Sequence, residues 1–155
     1  VLPGIAAGGQ PRDNESWEFL RSTGKNWDLK LNTWREGFDG LALANHIVPI
    51  EIPFTTYDQW HGPTDAQVAA AVAAIEPDGT FVHCGSDSRT RSWWSRITDT
   101  QGGQDRTWFI MGVYLVRVQH WSKADAYALM RSHGYHPWEL GLQWYWNHNV
   151  EDRIP

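Results

Sequence analysis

The sequence predicts an α/β fold, a small and mainly parallel sheet flanked by helices. Three observations predict it. Through the first 84 residues, short apolar or alternating segments of strand length take turns with helix signals. Strands joined through helices run parallel, because the crossover must pack back on the sheet. Beyond a long polar segment, the rest of the chain reads as three successive helices. The chain has 155 residues, 41% hydrophobic and 20% charged, with no internal repeat and no linker, so one ordinary domain spanning 1–155 is expected.

The elements follow in order. Ile5–Pro11 (IAAGGQP) reads as a short strand entering a turn. Asp13 or Asn14 caps a helix through Ser16–Leu20, and Gly24 stops it. Trp27–Asn32 (WDLKLN) alternates apolar and polar, the pattern of a strand. A polar stretch runs from Thr33 to Asn45, and His46–Pro53 (HIVPIEIP) is the next strand. The loop Phe54–Pro63 holds Asp58, Trp60, His61 and Gly62. Thr64 then caps the alanine-rich helix DAQVAAAVAAIE, and Pro77-Asp78-Gly79 forms a turn. Thr80–His83 is a short buried strand ending at Cys84. Residues 85–104 have no clean period and read as a long loop, the kind that is usually functional or disordered. Trp108–Trp121 is a strongly apolar helix. Ser122-Lys123-Ala124-Asp125 has the spacing of a capping box, with Asp for the usual Glu or Gln, and starts a helix ending near Gly134. Pro137 is expected to open the last helix, to about Val150.

Composition excludes several function classes. No run of 18 apolar residues occurs, so no membrane-spanning helix is expected. The N-terminal residues carry no secretion pattern, and the composition fits a cytoplasmic protein. A single cysteine excludes a disulfide framework and a cysteine-rich zinc site. The seven histidines show no HExxH or similar spacing, so neither a metal nor any other cofactor is expected. The net charge of −5 argues against a general nucleic-acid or membrane-surface binder. Eleven tryptophans exceed what a core of this size needs, which points to a binding face.

Three pieces carry chemistry together. Val82-His83-Cys84 sits at a strand end, Gly102-Gly103-Gln104-Asp105-Arg106-Thr107 precedes a helix, and Asp58 sits in a loop before another. A cysteine beside a helix N-terminus and an arginine is a nucleophile. The planar guanidinium suits a phosphate, and a nearby carboxylic acid can protonate a leaving oxygen. Those parts make a cysteine-dependent phosphate monoester hydrolase working through a thiophosphate intermediate. Each part also has a plain reading: Cys84 as a packed thiol, Asp58 as a solvated turn residue, Asp65 as a first-turn helix residue, His133 and His136 as polar helix-end residues.

The chain resembles the compact dual-specificity and tyrosine phosphatases of the cysteine-phosphatase superfamily. IAAGGQP with SWEFLRSTG is similar to that family's opening strand and helix, and DLKLN to its second strand. YDQWHGPTDAQV is similar to its acid loop, FVHC to its nucleophile strand, GGQDRT to the second half of its phosphate loop, and WSKADAYALMRSHGYHP to the helices beyond. The resemblance implies Cys84 as nucleophile, Arg106 as phosphate ligand and Asp58 as acid. Two departures stand beside it. The family's loop is HC, five residues and Arg; here 21 residues separate Cys84 from Arg106, so GSDSRTRSWWSRITDT at 85–100 is extra. Counting back from Arg106, the nucleophile position falls on Thr100 and the preceding histidine position on Asp99. Opening the loop removes the covalent restraint on its geometry, and a displacement of about 1 Å costs roughly a hundredfold in rate. Trp108 stands where the family has glycine, and is expected to crowd the phosphate site or to face solvent or a partner.

Two function classes follow. The first is a protein-binding, inhibitor-like molecule built on, or degenerated from, that scaffold. Arg89, Arg91, Trp93, Trp94 and Arg96 of the inserted loop, with Trp60 and Trp108, would dock on a partner having an acidic concave surface. Trp27, Trp34 and Trp138 would widen that face if they gather at the loop mouth. The interrupted loop, Trp108 and the tryptophan excess favour this class. The alternative is an active phosphatase that tolerates the insertion. A weaker reading is a binder of phosphorylated ligands without turnover.

Overall fold

The computed structural model describes residues 4–31, 39–53, 62–84 and 104–152. Among the described residues there are four strands and six helices: β1 (Ala6–Gly9), α1 (Asn14–Ser22), β2 (Trp27–Lys30), α2 (Asp39–Ala44), β3 (Val48–Glu51), α3 (Asp65–Ala73), β4 (Thr80–Cys84), α4 (Asp105–Arg117), α5 (Lys123–Ser132) and α6 (Leu140–Asn149). The strands form one parallel sheet in the order β1-β4-β2-β3. Every residue of β4 is buried, as befits one of the two inner strands of a sheet covered on both faces.

Period-2 alternation along β4 divides the core. Val82 and Cys84 face the larger cluster, with Leu29, Leu31, Val68 and the apolar residues of α4. Phe81 faces the smaller one, with Trp17, Leu20, Ala42 and Ile47. Helix α4 is buried at every position from Arg106 to Val116, so it is apolar all round and runs through the middle of the larger cluster. Gly112 lets it approach α5 and α6, since a Cβ there would collide with Met130 and press on Trp146.

The caps explain where helices begin. Asp13 is the cap of α1, accepting from Ser16 N at 2.8 Å. Thr64 and Gln67 make a reciprocal capping box on α3. On α5, Ser122 accepts from Asp125 N at 3.0 Å and donates its hydroxyl to Asp125 Oδ2 at 2.7 Å. The shorter carboxylate thus closes on the serine hydroxyl, where a Glu or Gln would reach the backbone.

Three element expectations are corrected. The stretch read as featureless and polar up to Asn45 contains α2, where Ala42 is buried. Helix α4 begins at Asp105 rather than Trp108, and ends at Arg117 rather than Trp121, with His120 beyond it at φ 61°. Helix α6 begins at Leu140; Pro137 and Trp138 occupy a turn in which Glu139 N bonds His136 O at 3.2 Å. The strand read at WDLKLN is present, and its Asp28 and Lys30 are buried. Among the described residues, no helix is long and apolar enough to cross a membrane.

Candidate active site

Ligand sites of parallel sheets lie beyond the carboxyl ends of the strands. Cys84 is the last residue of the inner strand β4, opposite Gly9 of β1, and only 2% exposed. The first turn of α4 closes on this end. The Thr107 hydroxyl lies 3.2 Å from Cys84 Sγ and 3.5 Å from Gly8 O. Arg106 is 5% exposed, and its Nη1 donates to Leu31 O at 3.3 Å, just past β2. Three strand ends are therefore plugged by Arg106 and Thr107. Thr107 thus meets the end of β4 although 21 residues separate Cys84 from Arg106. Gln104 gives the helix no side-chain cap, so the amides of the first turn keep their positive partial charge at this end.

A second layer lies behind the sulfur. His83 Nε2 is 2.7 Å from Asp28 Oδ1, both side chains wholly buried. The contact is not aligned as a hydrogen bond, and these carboxylate oxygens and ring nitrogens have no hydrogen-bond partner among the described residues. Phe81 stacks on the His83 ring at 5.3 Å, and Trp17 meets it edge-on. Lys30, opposite His83 on β2, pairs with Asp39 of α2 at 3.1 Å. The alternation of WDLKLN marked a strand and gave no sign that Asp28 and Lys30 are buried. Their face of the sheet is covered by α1 and α2.

The connection from α5 to α6 is fastened to the same turn of α4. Asp105 accepts from His136 N at 2.7 Å and lies 3.0 Å from His136 Nδ1. Burial raises the Asp105 carboxyl above its ordinary value, opposed by the His136 contacts and Arg106. Gln104 packs its side chain against Gly134, which has φ 93°. His133 stacks on Trp108 at 3.9 Å with ring planes 8° apart. That stack corrects the reading of Trp108 as a solvent- or partner-facing residue: it is 6% exposed and belongs to the larger core cluster. Glu139, at the end of the same connection, is pushed up to about 7 by burial and the nearby Asp105, with Arg106 pulling the other way. Asp105 lay inside the Gly102–Thr107 piece and His136 read as a polar helix-end residue, but no sequence signal paired them, and none marked Glu139.

Asp58, Trp60, Arg89, Arg91, Trp93, Trp94, Arg96 and Trp34 lie outside the described residues. The chain returning from 54–61 is held firmly. Gly62 lies against the backbone carbonyl of Gly141, where a Cβ would collide. Asp65 accepts from the Tyr145 hydroxyl at 2.6 Å, and Arg117 Nη2 donates to that hydroxyl at 3.4 Å. Trp27, 37% exposed, starts β2 at the end of the sheet opposite Cys84, so it does not widen a face at the loop mouth. Among the described residues, no group of three His, Cys, Asp or Glu could hold a metal ion.

A parallel four-stranded sheet whose inner strand ends in a buried cysteine, met by the Arg-Thr turn of a long buried helix, is the fold of the cysteine-dependent tyrosine and dual-specificity phosphatases. Solved structures of that class match nearly the whole chain. TpbA of P. aeruginosa is 16% identical with a TM-score of 0.68, covering 94% of this chain and 80% of that one. The core catalytic domain of the PP-IP phosphatase SIW14 of S. cerevisiae is 14% identical with a TM-score of 0.69, covering 96% and 82%. The active form of Tk-PTP is 13% identical with a TM-score of 0.68, covering 97% and 92%. At these identities the likeness is one of fold. No family model and no curated protein matches the sequence.

Proposed function

We propose that the chain is a cysteine-dependent phosphatase acting on phosphate monoesters. The observation that carries the reading is the 3.2 Å contact between Thr107 and Cys84 Sγ, which joins the nucleophile strand to the arginine-bearing turn across the insertion. The Cys84 thiolate attacks phosphorus, the phosphorus–oxygen bond to the leaving group breaks, and Asp58 gives that oxygen a proton. Arg106 and the first-turn amides of α4 hold the phosphoryl oxygens. Water then displaces the thiolate from phosphorus, releasing inorganic phosphate and restoring Cys84. TpbA has been crystallised in complex with pTyr, which favours a phospho-substrate for this chain as well.

The binding-protein reading gains no support from the described residues. Trp108 is core, Trp27 lies at the far end of the sheet, Trp138 is exposed beyond α5, and the other residues it invoked lie outside them. The test is hydrolysis of an aryl phosphate under reducing conditions. Turnover by the wild-type chain and none by Cys84→Ser is expected. No turnover by either, or equal turnover by both, overturns the proposal.

A further inference from the structure

The sheet order leaves β1 at one edge, where among the described residues only β4 pairs with it. A groove of about 610 Å³ opens where β1 runs into α1, within the size range of ligand sites. Its floor is apolar. Leu20 and Phe81 are buried there, and Phe19 beside them is the most exposed large apolar side chain of the described residues, at 66%. Gly8 keeps the floor open, since a Cβ on it would stand 3.6 Å from the Phe81 ring. The rim is acidic: Asp13 and Glu15 line it, whereas Arg12, the cation nearest in sequence, does not. Hydrogen bonds from the Ser16 side chain and backbone hold the Asp13 carboxyl below its ordinary value, so the rim keeps its charge near neutral pH. Gln10 lines the groove as well. Its Nε2 donates to Pro11 O at 3.2 Å, which leaves Oε1 buried with no hydrogen-bond partner among the described residues.

Helix capping explains Asp13, and the helix dipole favours Glu15. Neither explains an exposed phenyl ring, a floor cleared by glycine and an acceptor without a donor in one groove. An extended chain supplies what is missing. Its amides can pair with an open strand edge, and its alternate side chains point the same way. From this arrangement we infer that the groove beside β1 docks an extended peptide segment of a partner protein, with a large apolar residue on Phe19 and Phe81 and a lysine or arginine two positions away facing Asp13 and Glu15. The net charge of −5 further favours a basic partner. The inference goes beyond the phosphatase reading and does not depend on it, because the docked segment touches neither Cys84 nor Arg106.

The test titrates the isotope-labelled chain with the capped peptide Thr-Arg-Thr-Leu-Thr-Arg-Thr, and with the same peptide carrying Glu in place of Arg, following backbone amides by NMR. The basic peptide is expected to shift the amides of Gly8, Gly9 and Phe19 to saturation and to bind roughly tenfold more tightly than the acidic one. Phe19→Ala should weaken its binding about tenfold, and Glu15→Gln about two- to threefold. Both side chains are exposed, so both variants should fold, which the rest of the spectrum checks. Cys84→Ser should bind the peptide as the wild type does. No saturable shift with the basic peptide, equal binding of the acidic one, or unchanged affinity in Phe19→Ala overturns the inference. A chain that binds the basic peptide yet hydrolyses no aryl phosphate overturns the phosphatase reading alone.

Discussion

Replacing Glu139 with glutamine should remove a loss of stability that sets in as pH rises. The Glu139 carboxyl sits at an ordinary value of 4.5 in the unfolded chain and is pushed up to about 7 in the folded one, first by burial and then by Asp105. The folded state therefore holds the proton more tightly than the unfolded state. Its contribution to stability is fully present below about 4.5 and is lost as pH rises through about 7. The shift corresponds to ~3 kcal/mol at its upper limit, and partial exposure brings the expected loss to about 2 kcal/mol. Glutamine has nearly the same shape and does not titrate. Urea unfolding at pH 4.5, 6 and 8 gives the stability of both chains, and the difference between them cancels the cost of the substitution itself (all ~2 kcal/mol of the change should appear between the two extremes). Relative to wild type, Glu139→Gln should gain about 2 kcal/mol on going from the acid to the alkaline end. Parallel stability profiles for the two chains would refute the reasoning.

Three further outcomes are expected. Thr107→Val keeps the shape of the α4 turn but removes the hydroxyl that contacts Cys84 Sγ and Gly8 O, so turnover of an aryl phosphate should fall about tenfold with little change in urea midpoint. Tyr145→Phe removes the 2.6 Å bond to Asp65 and should cost about 1 kcal/mol in urea unfolding. Gly112→Ala forces Met130 and Trp146 away from α4 and should lower stability by about 1–3 kcal/mol, read as a lower thermal midpoint.

The alternation of strands and helices made the parallel sheet legible before any coordinates, because a crossover helix leaves few other arrangements. Thr64, Ser122 and Gly24 marked helix ends for the local reasons that caps and left-handed glycines always give. Cys84 and Arg106 were legible as a pair through the residues around them, although the spacing between them is broken. Tertiary placement was not legible. The pattern of WDLKLN showed a strand but not the burial of Asp28 and Lys30, and Trp108 looked like a surface aromatic until His133 stacked on it. Glu139 had no sequence signature at all, because its raised carboxyl depends on how the α5–α6 connection folds back on Asp105 and Arg106. The insertion puts 21 residues between Cys84 and Arg106, and Thr107 touches Cys84 Sγ at 3.2 Å.

The most direct test of the central claim is to quench the wild-type chain during aryl phosphate turnover and map its phosphorylated peptides by mass spectrometry. The account predicts phosphate bound covalently to Cys84 and absent from Cys84→Ser. Turnover that leaves Cys84 unmodified, or phosphate carried by any other residue, would contradict it.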